Sequence, residues 1–101
     1  SVAVLKKFFG FKADVLYLPP SVSQLPPQAL GYKYIIFLGG QSIDPFYRSL
    51  MEAGQLPPLT ESGQYVIKQI GNYIFIAGYH HQDTFTAVSK FIQELSSGQS
   101  L

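Results

Sequence analysis

Two stretches of this chain place chemistry-bearing side chains directly after an apolar run. Gly39-Gly40-Gln41-Ser42-Ile43-Asp44 follows the run 34–38, and Gly78-Tyr79-His80-His81-Gln82-Asp83 follows the run 73–77. Each leads from a glycine towards a helical pattern, and a helix N-terminus offers unpaired N–H groups to an anion. Neither stretch holds the Lys-Ser/Thr of a phosphate-binding loop, and the first lacks the third glycine of a dinucleotide fingerprint. Asp44 and Asp83 also put negative charge where a phosphate would sit. The plain reading is a pair of tight strand-to-helix turns. Gly39, Gly40, Ser42, Asp44, Gly78, His80, His81 and Asp83 remain the candidates for a small-ligand or ion-binding edge.

Other chemistries find less support. Ser42 with His80 or His81 has the residue types of acyl transfer, but Gly39-Gly40-Gln41-Ser42-Ile43 is not the Gly-x-Ser-x-Gly elbow that exposes such a serine at a sharp turn. His80-His81 is the chain's single histidine pair. A zinc site needs three or four convergent ligands, adjacent side chains diverge, and Asp83 is expected to cap its helix. No metal, cofactor or catalytic residue is assigned, and the isolated domain is expected to bind neither divalent metal nor nucleotide.

Composition narrows the classes further. The 101 residues suit one domain, expected to be a fragment of a longer chain. Charged residues make up 13%, about half the usual share of a globular protein. That balance is more natural in an extracellular protein, a packed array or a virion component. A net charge of +1, with Lys6-Lys7 as the one adjacent basic pair, argues against nucleic acid as a partner. The chain has no cysteine, which removes disulfides and thiolate chemistry. No apolar run approaches the length of a bilayer span, so this segment is not expected to insert in a membrane.

The elements that would position the candidate residues can be read from spacing. Val2, Leu5 and Phe9 have helical periodicity and Gly10 follows as a stop. Residues 14–18 read as a short strand ended by Pro19-Pro20. The long stretch after it lies extended or hides a helical turn near Gln28. The unbroken run 34–38 suggests a central strand buried on both faces. Asp44-Pro45 then opens a helix over 44–53, with an N-cap and a proline at the first position. Residues 64–70 and 73–77, joined by Gly71-Asn72, form a β-hairpin. Val88, Phe91, Ile92 and Leu95 lie on one face of a last helix over 83–95.

The second half carries a resemblance. The run 34–38 with Gly39-Gly40 and Asp44, and then Ala77-Gly78 with Asp83-Thr84, resembles the small α/β domains of archaeal surface-layer and related surface proteins. Those carry a strand ending in Gly-Gly-Pro, a following Asn, and later an Ala-Gly loop with Asp-Thr at a helix start. The match spans residues 33–95. Gln41 stands in place of the proline and Asp44 in place of the asparagine, changes that keep turn and capping roles. The resemblance implies an architectural domain without enzymatic activity, met within longer chains.

The expected fold is thus a layered α/β domain with about four strands in a mainly parallel sheet and three helices. Strands 34–38 and 73–77 would run parallel near its centre, and right-handed crossovers would bring both glycine-ended loops to one edge. The favoured role is a non-catalytic structural or interaction module of a surface-layer-like or virion-type assembly, its partners proteins: other copies or other domains of its parent. A ligand-binding module at the C-terminal edge of the sheet, or an accessory domain of a larger enzyme, are the alternatives.

Overall fold

The structure, a computed structural model, describes residues 2–17 and 24–98. These hold helices α1 (Val2–Phe9), α2 (Pro45–Glu52) and α3 (His81–Ser96), and strands β1 (Ile35–Leu38), β2 (Tyr65–Ile70) and β3 (Tyr73–Gly78). Short 3-10 turns lie at Gly10–Lys12 and Pro27–Ala29, the latter at Gln28, where the sequence left an extended course or a helical turn open. The sheet order is β1-β3-β2. β1 runs parallel to β3, Ile35 opposite Tyr73, and β2 runs antiparallel to it, Tyr65 opposite Gly78.

Alternation along β3 divides the core. Ile74 and Ile76 point to one face, where they meet Leu5 of α1 and Ala87, Val88 and Phe91 of α3. Phe75 and Ala77 point to the other, where Phe37, Tyr47 of α2, Leu56 and Leu59 cover them. Side chains of a strand alternate with a period of two, so a six-residue strand serves two separate clusters. The result is three layers, with α1 and α3 on one side of the sheet and α2 with the 55–60 loop on the other. Phe37 and Phe75 stack with ring centroids 4.7 Å apart and planes 9° from parallel. Tyr47 meets Phe75 edge-on and donates its hydroxyl to the Pro57 carbonyl at 2.5 Å. Burial pushes the Tyr47 phenol up to about 12.

Local chemistry accounts for the element ends. The Asp44 carboxylate accepts the Phe46 N–H at 2.9 Å, with Pro45 in the first turn of α2. The hairpin turns on Gly71, whose φ of 61° is the left-handed conformation that glycine takes without steric cost. Helix α3 begins earlier than its apolar stripe implied. His80 is its N-cap residue, and Asp83 lies inside the first turn.

Three expectations are corrected. Among the described residues the sheet has three strands, and its longer pairing is antiparallel, not mainly parallel with four. Residues 14–17 form no strand, leaving Val15, Leu16 and Tyr17 exposed; Leu18 lies outside the described residues. The run 34–38 packs against both clusters but only Phe37 in it is buried, and among the described residues β1 is an edge strand, with β3 at the centre. Apolar runs report how many faces are covered, not how many neighbouring strands are bonded.

Phe75 is fully buried and central, so Phe75→Ala is expected to cost about 3–5 kcal/mol, the usual loss for deleting a core aromatic ring. Phe37→Ala should fall at or below the lower end of that range, because Phe37 sits on the edge strand and keeps 7% exposure. Denaturant midpoints of the two variants measure this. A near-native midpoint for Phe75→Ala would mean that the stack does not hold the α2 face.

Candidate functional site

β1 and β3 are parallel neighbours, yet the helices that follow them pack on opposite faces of the sheet. Their connecting loops therefore part at the carboxyl ends of the strands. In open α/β sheets such a divergence leaves the crevice in which ligands settle. Here it encloses about 440 Å³. Gly39, Gly40 and Ser42 line it from one loop, and Gly78, His80 and His81 from the other. Ile43, Tyr79, Gln82 and Thr84 complete its walls and were not singled out by the sequence. Thr84 had one signal, its place in the Asp83-Thr84 pair at a helix start.

The glycines are there for close approach. Gly39 has a φ of 108°, and a Cβ on it would lie 2.4 Å from Ile43 Cδ1. Its N–H continues the ladder to the Ile76 carbonyl at 3.0 Å. The Gly40 carbonyl then accepts from the N–H groups of Ile43 and Asp44, at 3.2 and 2.9 Å, closing the turn. Gly78 has the closest approach of any of the glycines. A Cβ there would meet the Thr84 nitrogen at 2.2 Å, so the first turn of α3 rests directly on the strand backbone. The Gly78 N–H donates to the Thr84 hydroxyl at 2.9 Å.

Both acids of the candidate set are outside the crevice lining, drawn into structural bonds. Asp83 Oδ2 accepts the N–H of His80 and the N–H of Gly63, each at 3.0 Å. It thereby holds the start of α3 to the turn that precedes β2. Asp83 was expected at the N-cap position; it caps from within the first turn, where a carboxylate reaches back to the N-cap N–H. Asp44 is buried, and while Oδ1 caps α2, Oδ2 has no hydrogen-bond partner. Burial raises the Asp44 carboxyl above its ordinary value, against the lowering by backbone N–H groups and Arg48.

Gln41 contributes a long-range clamp with no local signature. Its amide donates to the Leu59 carbonyl at 2.9 Å and accepts the Leu59 N–H at 3.1 Å, as a neighbouring strand would. This fixes the wall of the crevice to the loop covering α2.

The polar surface left in the crevice carries no lysine, arginine or carboxylate: it is the Ser42 and Tyr79 hydroxyls, the Gln82 amide and the exposed His80 and His81. Tyr79 and His80 pack edge to face, 4.6 Å between centroids. Among the described residues no hydrogen bond joins Ser42 to either imidazole, and no group of three or more His, Cys, Asp or Glu gathers to hold a metal. No described helix is long and apolar enough to cross a membrane. Comparison with protein-family models, with curated proteins and with solved structures returned no match.

Two variants test this geometry. Gly78→Ala should destabilise by about 3 kcal/mol or more, since backbone and not a flexible side chain meets the added methyl; a melting temperature within a degree or two of the parent's would refute the close approach. Asp44→Asn keeps an acceptor for the Phe46 N–H and removes the buried charge. The carboxyl's raised value in the folded state means that its contribution is complete at acid pH and is lost as pH rises through that value. Asp44→Asn should therefore be at least as stable as the parent at neutral pH, and the parent should gain on it as the pH falls through the titration of Asp44. Paired denaturation curves across pH read both effects, and a variant much weaker at neutral pH would reveal a partner for Oδ2.

Proposed function

We propose that this chain is a non-catalytic interaction module, a building unit of a larger surface-layer-like or virion-type assembly outside the cell. The observation that supports it is a group of exposed apolar side chains on two stretches that one hydrogen bond joins. Val15, Leu16 and Tyr17 are exposed, Tyr17 by 81%, and so are Leu30 and Tyr32. The Tyr32 hydroxyl donates to the Asp14 carboxylate and draws these two stretches into one region. Scattered apolar residues on a surface need no explanation, whereas a cluster marks a contact site. The low charged fraction agrees with a surface made for packing against protein.

A second reading has its own observation, the crevice between the glycine-ended loops. Its hydroxyl, amide and imidazole groups, with no lysine or arginine among the lining, suit a small polar ligand better than a phosphate.

Sedimentation of the chain as isolated from its source, joined to hydrogen exchange, tests the first reading. The chain should sediment within a particle far larger than a monomer, with protection at residues 14–17 and 30–36 that the purified domain lacks. A free monomer in native material would end the assembly reading. Calorimetry with zinc, magnesium and ATP should be silent; saturable binding abolished by His80→Ala would favour the crevice instead.

A further inference from the structure

Among the described residues, strand β1 has a neighbour on one side only. β3 lies beside it, and no described strand lies on its other edge. The N–H groups of Ile35 and Gly39 donate to the carbonyls of Asn72 and Ile76, each at 3.0 Å. Peptide orientation alternates along a strand, so Ile36 and Leu38 turn their N–H and C=O groups to the open side. Among the described residues no backbone group bonds to them there. Proteins blunt such edges with charges, prolines or bulges. β1 reads Ile-Ile-Phe-Leu and has none of these.

The same chain carries an unpaired complement. Asp14-Val15-Leu16-Tyr17 has the β-branched and aromatic content of a strand, and the chain enters it extended, with Ala13 at φ −115° and ψ 135°. It belongs to no helix or strand, and its apolar side chains are exposed. Charge selects the direction of pairing. A parallel alignment brings Asp14 to the end of β1 where Lys33 stands exposed over the Tyr34 ring. The antiparallel alignment brings it to Leu38-Gly39-Gly40, where no charge is offered.

We propose that β1 of one copy receives residues 14–17 of a second copy as a fourth, parallel strand, and gives its own in return. This rests on the assembly reading and names the partner, a second copy of the chain. The Tyr32–Asp14 hydrogen bond keeps donor stretch and acceptor edge together in each copy. Both exchanges can then share one two-fold axis, and the pairing closes as a dimer instead of growing as a filament.

Sedimentation velocity of the purified full chain over a micromolar concentration series is the test. The expected mass moves from 11.2 kDa towards twice that value as concentration rises. Replacing two exposed residues together, Leu16→Lys with Tyr17→Lys, should leave the fold intact and raise the dimer dissociation constant roughly tenfold or more. Ile36→Pro removes an outward N–H without touching the β1–β3 ladder and should act alike; it also trims core packing, so the lysine pair decides. Isotope-filtered contacts in a mixture of labelled and unlabelled chains should link residues 15–17 of one copy to Ile36 and Leu38 of the other. A monomer at every concentration, a dimer indifferent to the lysine pair, or such contacts within one copy alone would overturn the proposal. A purified monomer whose native form is still assembled would fault this inference and leave the assembly reading standing, whereas a native monomer would remove both.

Discussion

Everything in this domain is organised around the burial of β3 on two faces and two edges at once. Ile74, Phe75, Ile76 and Ala77 are each all but inaccessible, and their alternation commits Ile74 and Ile76 to α1 and α3, Phe75 and Ala77 to α2. Because both clusters are threaded by one strand, a shift of its register by a single residue would exchange them entirely. The antiparallel hairpin with β2 guards against that shift. So does Gly78, which lets α3 descend on the strand at one fixed level.

The same constraint shapes the crevice. Parallel strands feeding helices on opposite faces must part company, and the gap between the loops follows from topology before any ligand is considered. What the residues then do is mostly structural. Asp83 ties α3 to the turn before β2, Thr84 secures Gly78, and Gln41 holds Leu59. The side chains that would give a phosphate or metal site its charge are spent on holding the fold.

How much of this could be read in the residues depends on the range of the interaction. The hairpin was legible because Gly71-Asn72 and the apolar runs flanking it lie together in sequence. The start of α2 was legible for the same reason, Asp44 and Pro45 being adjacent. Asp83 was placed at the wrong capping position because aspartate accepts backbone N–H groups from the N-cap and from the first turn alike. The run 34–38 reads as central because hydrophobicity records covered faces and is blind to strand order. Residues 14–17 have the composition of a strand, but a strand exists only where a bonded neighbour does. The meeting of the two glycine-ended loops could be anticipated from parallel pairing, whereas the Gln41 clamp spans too much chain to leave a pattern.

The sheet order also carries a kinetic consequence. β2 and β3 are joined by a two-residue turn, so their ladder can close with little loss of chain entropy, on the microsecond scale typical of hairpins. β1 must find β3 across all of α2 and β2 before Ile35 can pair with Tyr73, and the cost of closing that long loop falls on it alone. Loop-closure entropy therefore favours pairing of the hairpin before the pairing of β1 with β3. In a chain emerging from synthesis the apolar segment 34–38 precedes residues 73–78, so it becomes a strand only once that later partner has followed it.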